Sequence, residues 1–218
     1  MIDVAIVDHS LGNLMSVLQA SRSVGLDAKI TSDASEILGA RSLVIPGVGA
    51  FGDAMQELDR LGLVDPIRTF AGSGRPVLGV CLGLQLFLDE SEEFGRCEGL
   101  GLARGRVVRF RSTDAEGRRV KIPQVGWNTV EESTAGAWSG TVLDGLASGT
   151  YMYFVHSYHI ESADPAAVIA STSYGGVTYC SALQVGNVWG VQFHPERSGP
   201  AGLDVYRNLK TMISKAEQ

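Results

Sequence analysis

Pro76-Val77-Leu78-Gly79-Val80-Cys81-Leu82-Gly83-Leu84-Gln85 passes from a short β-rich run straight into a helical pattern, with a cysteine at the junction. Glycines stand two residues before and two after that cysteine. This is the cysteine form of a nucleophile elbow, the sharp strand-turn-helix that lifts a reactive atom above a sheet edge. The glycines are needed because side chains would collide where the turn is tight. A helix N-terminus directly after the cysteine favours a thiolate through its free N–H groups. A buried structural cysteine is the competing reading, and is the commoner fate of this residue type.

The segments around this junction set the fold class. Residues 4–7 form a β-rich run ending at Asp8, after which Leu14, Val17, Leu18 and Val24 recur at helical spacing before Gly25. Residues 28–31 and 42–45 read as strands, 54–61 as helix, 76–80 as strand and 82–90 as helix. Alternating units of this kind predict an α/β fold whose parallel sheet is covered on both faces. Beyond residue 100 the pattern changes. Residues 105–111 and 118–122 flank a polar turn at 112–117 and read as a hairpin. Residues 131–149 are rich in Ser, Thr and Gly and read as loop. Strands are expected at 152–157, 167–173, 177–183 and 188–193, with a closing helix through Val205, Leu209 and Met212. With no repeat, linker or low-complexity tract, the expectation is a single domain over 1–218, with a mixed, largely parallel central sheet flanked by helices.

The composition fits a globular protein. The chain has 218 residues, 44% hydrophobic and 19% charged, enough to build a core without metal or disulfide staples. Lys and Arg number 18 against 24 Asp and Glu, a net charge of −6 that argues against general nucleic-acid or membrane-surface binding. Cys81, Cys97 and Cys180 are too widely spaced for a zinc pattern or a disulfide framework, which points to a reducing, cytoplasmic setting. The N-terminal stretch has no basic region and carries Asp3 where a signal peptide would be apolar. No metal or cofactor is expected.

Gly47-Val48-Gly49-Ala50-Phe51-Gly52 matches G-x-G-x-x-G and raises the possibility of a dinucleotide site. Three features disfavour it: the motif is not on the first strand, Pro46 precedes it, and no strand-terminal acid follows about twenty residues later. A loop that lets backbone approach another anion is the better reading.

A reactive cysteine needs a base, and the histidines are His9, His156, His159 and His194. His9 follows a strand and reads as a turn residue. His156 and His159 lack the companions of a metal site. His194 is delivered by the strand at 188–193, followed by Pro195 and then Glu196. In extended chain i and i+2 project to one side, so Glu196 is placed to orient the imidazole. Cys81, His194 and Glu196 therefore make a candidate thiol triad.

Gly79-Val80-Cys81-Leu82-Gly83-Leu84-Gln85 together with Gly190-Val191-Gln192-Phe193-His194-Pro195-Glu196 resembles the class I (triad) glutamine amidotransferases. Further segments narrow the likeness: Asp8 with Gly12-Asn13-Leu14, the stretch from Pro46 to Met55, Pro123 with Gly126-Trp127-Asn128, and Tyr153-Phe154-Val155-His156-Ser157-Tyr158. These are similar to the glutaminase subunits of imidazole glycerol phosphate synthases. The resemblance implies hydrolysis of L-glutamine to glutamate and ammonia through a cysteine thioester. Ammonia would be channelled to a (β/α)₈ cyclase subunit, in a heterodimer, that makes imidazole glycerol phosphate and aminoimidazole carboxamide ribonucleotide for histidine biosynthesis. It implies Cys81 as nucleophile, His194 as base and acid, and Glu196 as orienting carboxylate. Leu82 with Val48 or Gly49 would supply an oxyanion hole. Gln85 and Glu93, with backbone at His156, Ser157 and Tyr158, would hold glutamine. Asn13, Trp127, Tyr153 and Arg197 would face the partner.

The sequence departs from that pattern at His9-Ser10, where an aromatic residue and glycine are frequent, at Gln124, where histidine is common, and at Arg197, where lysine usually follows the glutamate. Arg104, Arg106, Arg109, Arg111, Arg118, Arg119 and Lys121 form a basic cluster, either a solvated hairpin face or a contact for an acidic barrel surface. A glutaminase serving anthranilate or pyridoxal phosphate synthesis is the alternative within the same chemistry. A degenerate, non-enzymatic relative would lack a triad member, and all three are present.

Overall fold

The computed structural model describes residues 2–10, 12–162 and 164–216. Met1, Glu217 and Gln218, at the ends of the expected 1–218 domain, lie outside the described residues. The first strands are short: β1 (Val4–Val7), β2 (Ala28–Thr31), β3 (Ser42–Ile45) and β4 (Val77–Val80). Helices α1 (Leu14–Ser23), α2 (Ala34–Gly39), α3 (Phe51–Arg60), α4 (Val64–Ala71) and α5 (Leu82–Leu86) connect or follow them. In β1 every residue is buried, Val4 and Ile6 joining one core and Ala5 and Val7 the other. That two-sided burial explains why the strand reads as an unbroken apolar run.

The rest of the chain is β-rich. It comprises β5 (Glu90–Ser91), β6 (Cys97–Glu98), β7 (Gly105–Arg109), β8 (Gln124–Glu132), β9 (Thr150–His156) and β10 (Tyr158–Ser162). Then follow β11 (Val168–Tyr174), β12 (Val177–Val185), β13 (Val188–Val191) and the closing helix α6 (Gly199–Lys215). The sheet runs β2-β1-β3-β4-β13-β12-β10-β7-β5-β6, with β11, β8 and β9 branching from β12. Strands β2, β1, β3, β4 and β13 are mutually parallel; β12 and its branch are antiparallel. The protein is thus a single α/β domain with a mixed central sheet flanked by helices, as expected.

The 105–111/118–122 hairpin does not form. Both edges of β7 are occupied, one by β10 and the other by β5, so 118–122 has no strand to pair with. One isolated bridge, Thr113 to Arg119, remains, and Asp114 accepts from the N–H groups of Glu116 and Arg118 to close the turn. Strand β8 carries no clear signal in the sequence, because one of its faces is open to solvent and its residues alternate weakly. Helix α2 is short and starts at Asp33, whose carboxylate accepts from Ser35 and Glu36 N–H; it lacks a full helical period to read.

What matters for the site is how tightly β4 and α5 fit against β3. A Cβ on Gly83 would lie 1.7 Å from the Ile45 carbonyl oxygen, and one on Gly79 2.5 Å from the Phe87 ring. The Ile45 contact is with backbone and cannot move away cheaply. Gly83→Ala should therefore cost about 3 kcal/mol or more, or prevent folding. In contrast Gly52 lies in α3, where an added Cβ would meet nothing within 4 Å. Gly52→Ala should be neutral or stabilising by up to about 1 kcal/mol. Urea unfolding of the two variants checks both expectations.

Candidate active site

Cys81 stands between β4 and α5 with φ 54° and ψ −106°, a left-handed conformation rare for a residue bearing a side chain. Its N–H donates to Val191 O of β13 at 2.8 Å. The parallel register aligns Val80 with Val191, so the chain leaving β13 runs alongside the cysteine. His194 follows shortly after Val191, so two residues far apart in sequence meet here across two neighbouring strands.

The imidazole is held from several sides. Its Nδ1 lies 2.8 Å from Glu196 Oε1, and the side chains of the pair are 4% and 1% exposed. Its backbone N–H donates to Tyr153 O at 2.8 Å, while Ser198 Oγ donates to its carbonyl at 2.7 Å. Nε2 is buried without a hydrogen bond of ordinary geometry. Burial opposes a charge on His194, but its interactions with Cys81 and the Glu196 carboxylate outweigh it and hold the imidazole well above its usual proton affinity. Sulfur and imidazole are thus electrostatically coupled.

The sulfur opens onto a cavity of about 260 Å³, near the lower end of small-molecule pockets at roughly 300 Å³. Every residue expected to form the oxyanion hole or to hold glutamine lines it: Val48, Gly49, Leu82, Gln85, Glu93, His156, Ser157 and Tyr158, joined by Pro123 and Val155. His194 and Glu196 are not among the residues that line it. Gly49 has φ 114° and Gly47 packs under Leu82, where a Cβ would approach Leu82 Cβ to 2.9 Å. Glycine is therefore required for this loop to lie against the start of α5. Glu93 Oε2 accepts the Phe51 N–H at 2.7 Å, which fastens the rim of the cavity to the start of α3.

Sequence reading misses Gln192. It is fully buried, its Nε2 lies 3.6 Å from Cys81 Sγ, and its Oε1 accepts from Gln85 Nε2 at 3.0 Å. Gln85 Nε2 also donates to Tyr158 O at 3.1 Å. A signal for it exists: Gln192 is two residues before His194, in the stretch the sequence presents as a strand, although β13 ends at Val191. On the other side, Cys81 Sγ is 3.9 Å from Val155 O of β9. The other cysteines are differently placed. Burial pushes the Cys180 thiol up to about 12, and Cys97 sits at a sheet edge with its thiol also pushed up by burial.

His156 is a structural residue by its side chain. Nδ1 lies 2.7 Å from Tyr158 O and Nε2 3.2 Å from Tyr179 OH, which in turn reaches Gln124 Oε1 at 3.0 Å. His159 packs on Phe110 and Tyr179. Among the described residues no group of three or more His, Cys, Asp or Glu is arranged to hold a metal ion.

Three of the residues expected to face a partner lie on one outer surface beside the site. Trp127 and Tyr153 are register partners on β8 and β9 with rings edge-on at 6.1 Å, and the Arg197 guanidinium lies 4.5 Å above the Tyr153 ring. Val125, Trp127 and Tyr151 are 51%, 56% and 62% exposed on that face. Asn13 is apart from this stack, at the start of α1, with its Oδ1 accepting from Ser16. In the basic cluster Arg106 pairs with Glu161, and Arg118 with Asp114 and Glu116. No helix among the described residues is long and apolar enough to cross a membrane.

A thiol on a strained strand-helix junction, coupled to a carboxylate-bound imidazole, is the arrangement that the resemblance to class I amidotransferases implies, and the comparisons with known proteins show the family. Residues 5–210 match the family described as glutamine amidotransferase class-I, and the chain belongs to that family. Its relatives narrow the group. It is 46% identical over 208 residues to the imidazole glycerol phosphate synthase subunit HisH of Rhodopirellula baltica, covering 95% of this chain and 97% of that one. The HisH subunit of Syntrophotalea carbinolica is 44% identical over 210 residues, covering 96% and 100%. Among solved structures, a glutamine amidotransferase superposes with TM-score 0.72 at 20% identity, covering 97% of this chain and 99% of that one. PurLQS from Thermotoga maritima superposes with TM-score 0.69 at 16% identity over 100% of both chains. These two likenesses concern the fold.

The buried histidines give the fold a pH dependence. Burial holds His156 down to about 4, against an ordinary value near 6.5, and holds His159 below its usual value in the same direction. The unfolded chain therefore takes up protons first as pH falls below 6.5. Stability should decline from pH 6.5 toward 4 by about 1.4 kcal/mol per pH unit for His156. Thermal melts across that range should show the loss, and His156→Gln should flatten the slope.

Proposed function

We propose that this chain is the glutaminase subunit of an imidazole glycerol phosphate synthase, hydrolysing L-glutamine through Cys81, His194 and Glu196. The observation that carries the reading is the junction itself: a cysteine at φ 54° opening on an amino-acid-sized cavity, backed by an imidazole whose other nitrogen is bound to a buried carboxylate. The near-full-length identity to HisH subunits supports the choice of reaction over the anthranilate and pyridoxal phosphate alternatives.

In this mechanism Sγ attacks the side-chain amide carbon of glutamine as His194 takes the thiol proton. The tetrahedral oxyanion forms between the N–H of Leu82 and that of Val48 or Gly49. Such a donor contributes about 2.7–4 kcal/mol of transition-state stabilisation. His194 returns the proton to the departing nitrogen, which leaves as ammonia, and a γ-glutamyl thioester remains. Water then attacks the thioester with His194 as base, and glutamate leaves as the C–S bond breaks. Glu196 fixes the imidazole tautomer throughout. Gln85, Glu93 and the backbone of 156–158 hold the α-amino and carboxylate groups, and Gln192 steadies the sulfur.

Ammonia released into bulk water is protonated and lost as a nucleophile, so its use requires a sealed route into a second subunit. The exposed face of Val125, Trp127, Tyr151 and Tyr153, with Arg197, is the surface offered to that cyclase. Its setting is the cytoplasm, where histidine is made. Cys81→Ala should lower glutamine-dependent synthesis by the complex by about three orders of magnitude or more, while synthesis from added ammonium salt persists. Glutamate release by the isolated chain should be low and rise when the cyclase and its nucleotide ligand are added; full activity of the chain alone would refute the coupling. Growth of a histidine auxotroph lacking its own glutaminase subunit tests the assignment of pathway.

A further inference from the structure

His9 is a buried titratable side chain to which the mechanism above gives no task. It is fully buried just beyond β1, and its Nε2 lies 2.7 Å from the carbonyl oxygen of Pro46. A carbonyl oxygen only accepts, so the ring carries its proton on Nε2 and donates it. Nδ1 is buried with no hydrogen-bond partner. The imidazole therefore has one polar contact, and that contact is with the peptide joining Pro46 to Gly47.

This peptide is the first link of the loop Gly47-Val48-Gly49. Downstream of it the loop is shaped by close approach rather than by side-chain hydrogen bonds: Gly47 against Leu82, and Gly49 at φ 114°. The turn that carries His9 is itself fixed. Asp8 Oδ1 accepts the Ser10 N–H, and Ser10 Oγ donates to Glu57 of α3, the helix that follows the loop. The β1–α1 turn thus grips the head of the loop through His9 and is tied through Ser10 to Glu57, well inside the helix that follows the loop.

We propose that His9 is a positioning residue for the glutaminase reaction: by donating to Pro46 O it fixes the orientation of the Pro46–Gly47 peptide, and so aims the N–H of Val48 or Gly49 at the oxyanion. The proposal rests on the glutaminase reading. A peptide plane at the head of a three-residue loop controls where the next N–H groups point. Without the imidazole donor, the Pro46 carbonyl would lose its buried partner and the plane would turn toward another.

Three substitutions separate this role from simple filling of space. Gln carries its amide nitrogen the same number of bonds from Cβ as His carries Nε2, Asn ends one bond short, and Phe keeps the ring without a donor. Steady-state glutamate release is measured on the complex with the cyclase subunit, alongside melting temperature and the rate of Cys81 alkylation by iodoacetamide. His9→Phe and His9→Asn should lower kcat tenfold or more, with KM for glutamine within threefold and alkylation within twofold of wild type. His9→Gln should recover most of kcat. Should the Phe variant fail to fold, the Asn–Gln pair alone decides. Wild-type kcat in the Phe or Asn variant, or a Gln variant as impaired as Phe, overturns the proposal while leaving the glutaminase reading intact. A kcat loss that tracks melting temperature and alkylation rate in all three also overturns it. A wild-type complex that releases no glutamate removes the glutaminase reading, and this proposal with it.

Discussion

The backbone of α5 rests on the carbonyl of Ile45 at the end of β3, so closely that Gly83 has no space for even a methyl group. With the helix pinned there, the chain leaving β4 must turn within a single residue, and Cys81 absorbs the turn at positive φ. Holding a side-chain-bearing residue in that region costs on the order of 1–3 kcal/mol. The neighbouring strands, buried on both faces, offset it. The same contact brings Leu82 over Gly47, which fixes how near the glycine loop comes to the sulfur. Nucleophile, loop and the first N–H of the helix are thus consequences of one close approach.

The second half of the site follows from strand order. Because β13 is the parallel neighbour of β4, its carboxyl end lies beside the cysteine, and the chain beyond it supplies Gln192, His194 and Glu196 at alternate positions. The three do different things: Gln192 meets the sulfur, His194 is electrostatically coupled to it, and Glu196 binds the far nitrogen. Pro195 lies between the last two and starts a short 3₁₀ turn, so the carboxylate comes back onto the ring rather than continuing along a ladder.

How much of this can be read from the chain depends on whether a residue's task is local. The strands β1 and β3 are legible to the residue, since burial on both faces demands apolar runs. The cysteine, histidine and glutamate are legible because glycine spacing and the short interval from His194 to Glu196 are local patterns, although the chain between the last two is a 3₁₀ turn and not the extended segment expected. Strand β8 is not, because its outer face carries Val125 and Trp127 into solvent and its inner face carries Gln124. The false hairpin at 118–122 fails for a nonlocal reason: β10, much further along the chain, takes the edge of β7. Gln192 escapes notice although its position implies its direction, because an amide between apolar residues reads as an exception in a strand. His9 reads as a turn residue, and only the fold reveals the carbonyl thirty-seven residues away that it meets.

Strand β9 touches the site at two points that are not usually joined. The carbonyl of Val155 is the oxygen beside the sulfur, and the carbonyl of Tyr153 holds the main chain of His194. The ring of Tyr153 meanwhile meets Trp127 and Arg197 on the outside of the molecule. Nucleophile and base are therefore hung from one beam whose outer side is handled by whatever lies against those rings. A sideways load on that beam alters both reacting groups together, so their relative alignment and their joint displacement are not independent adjustments.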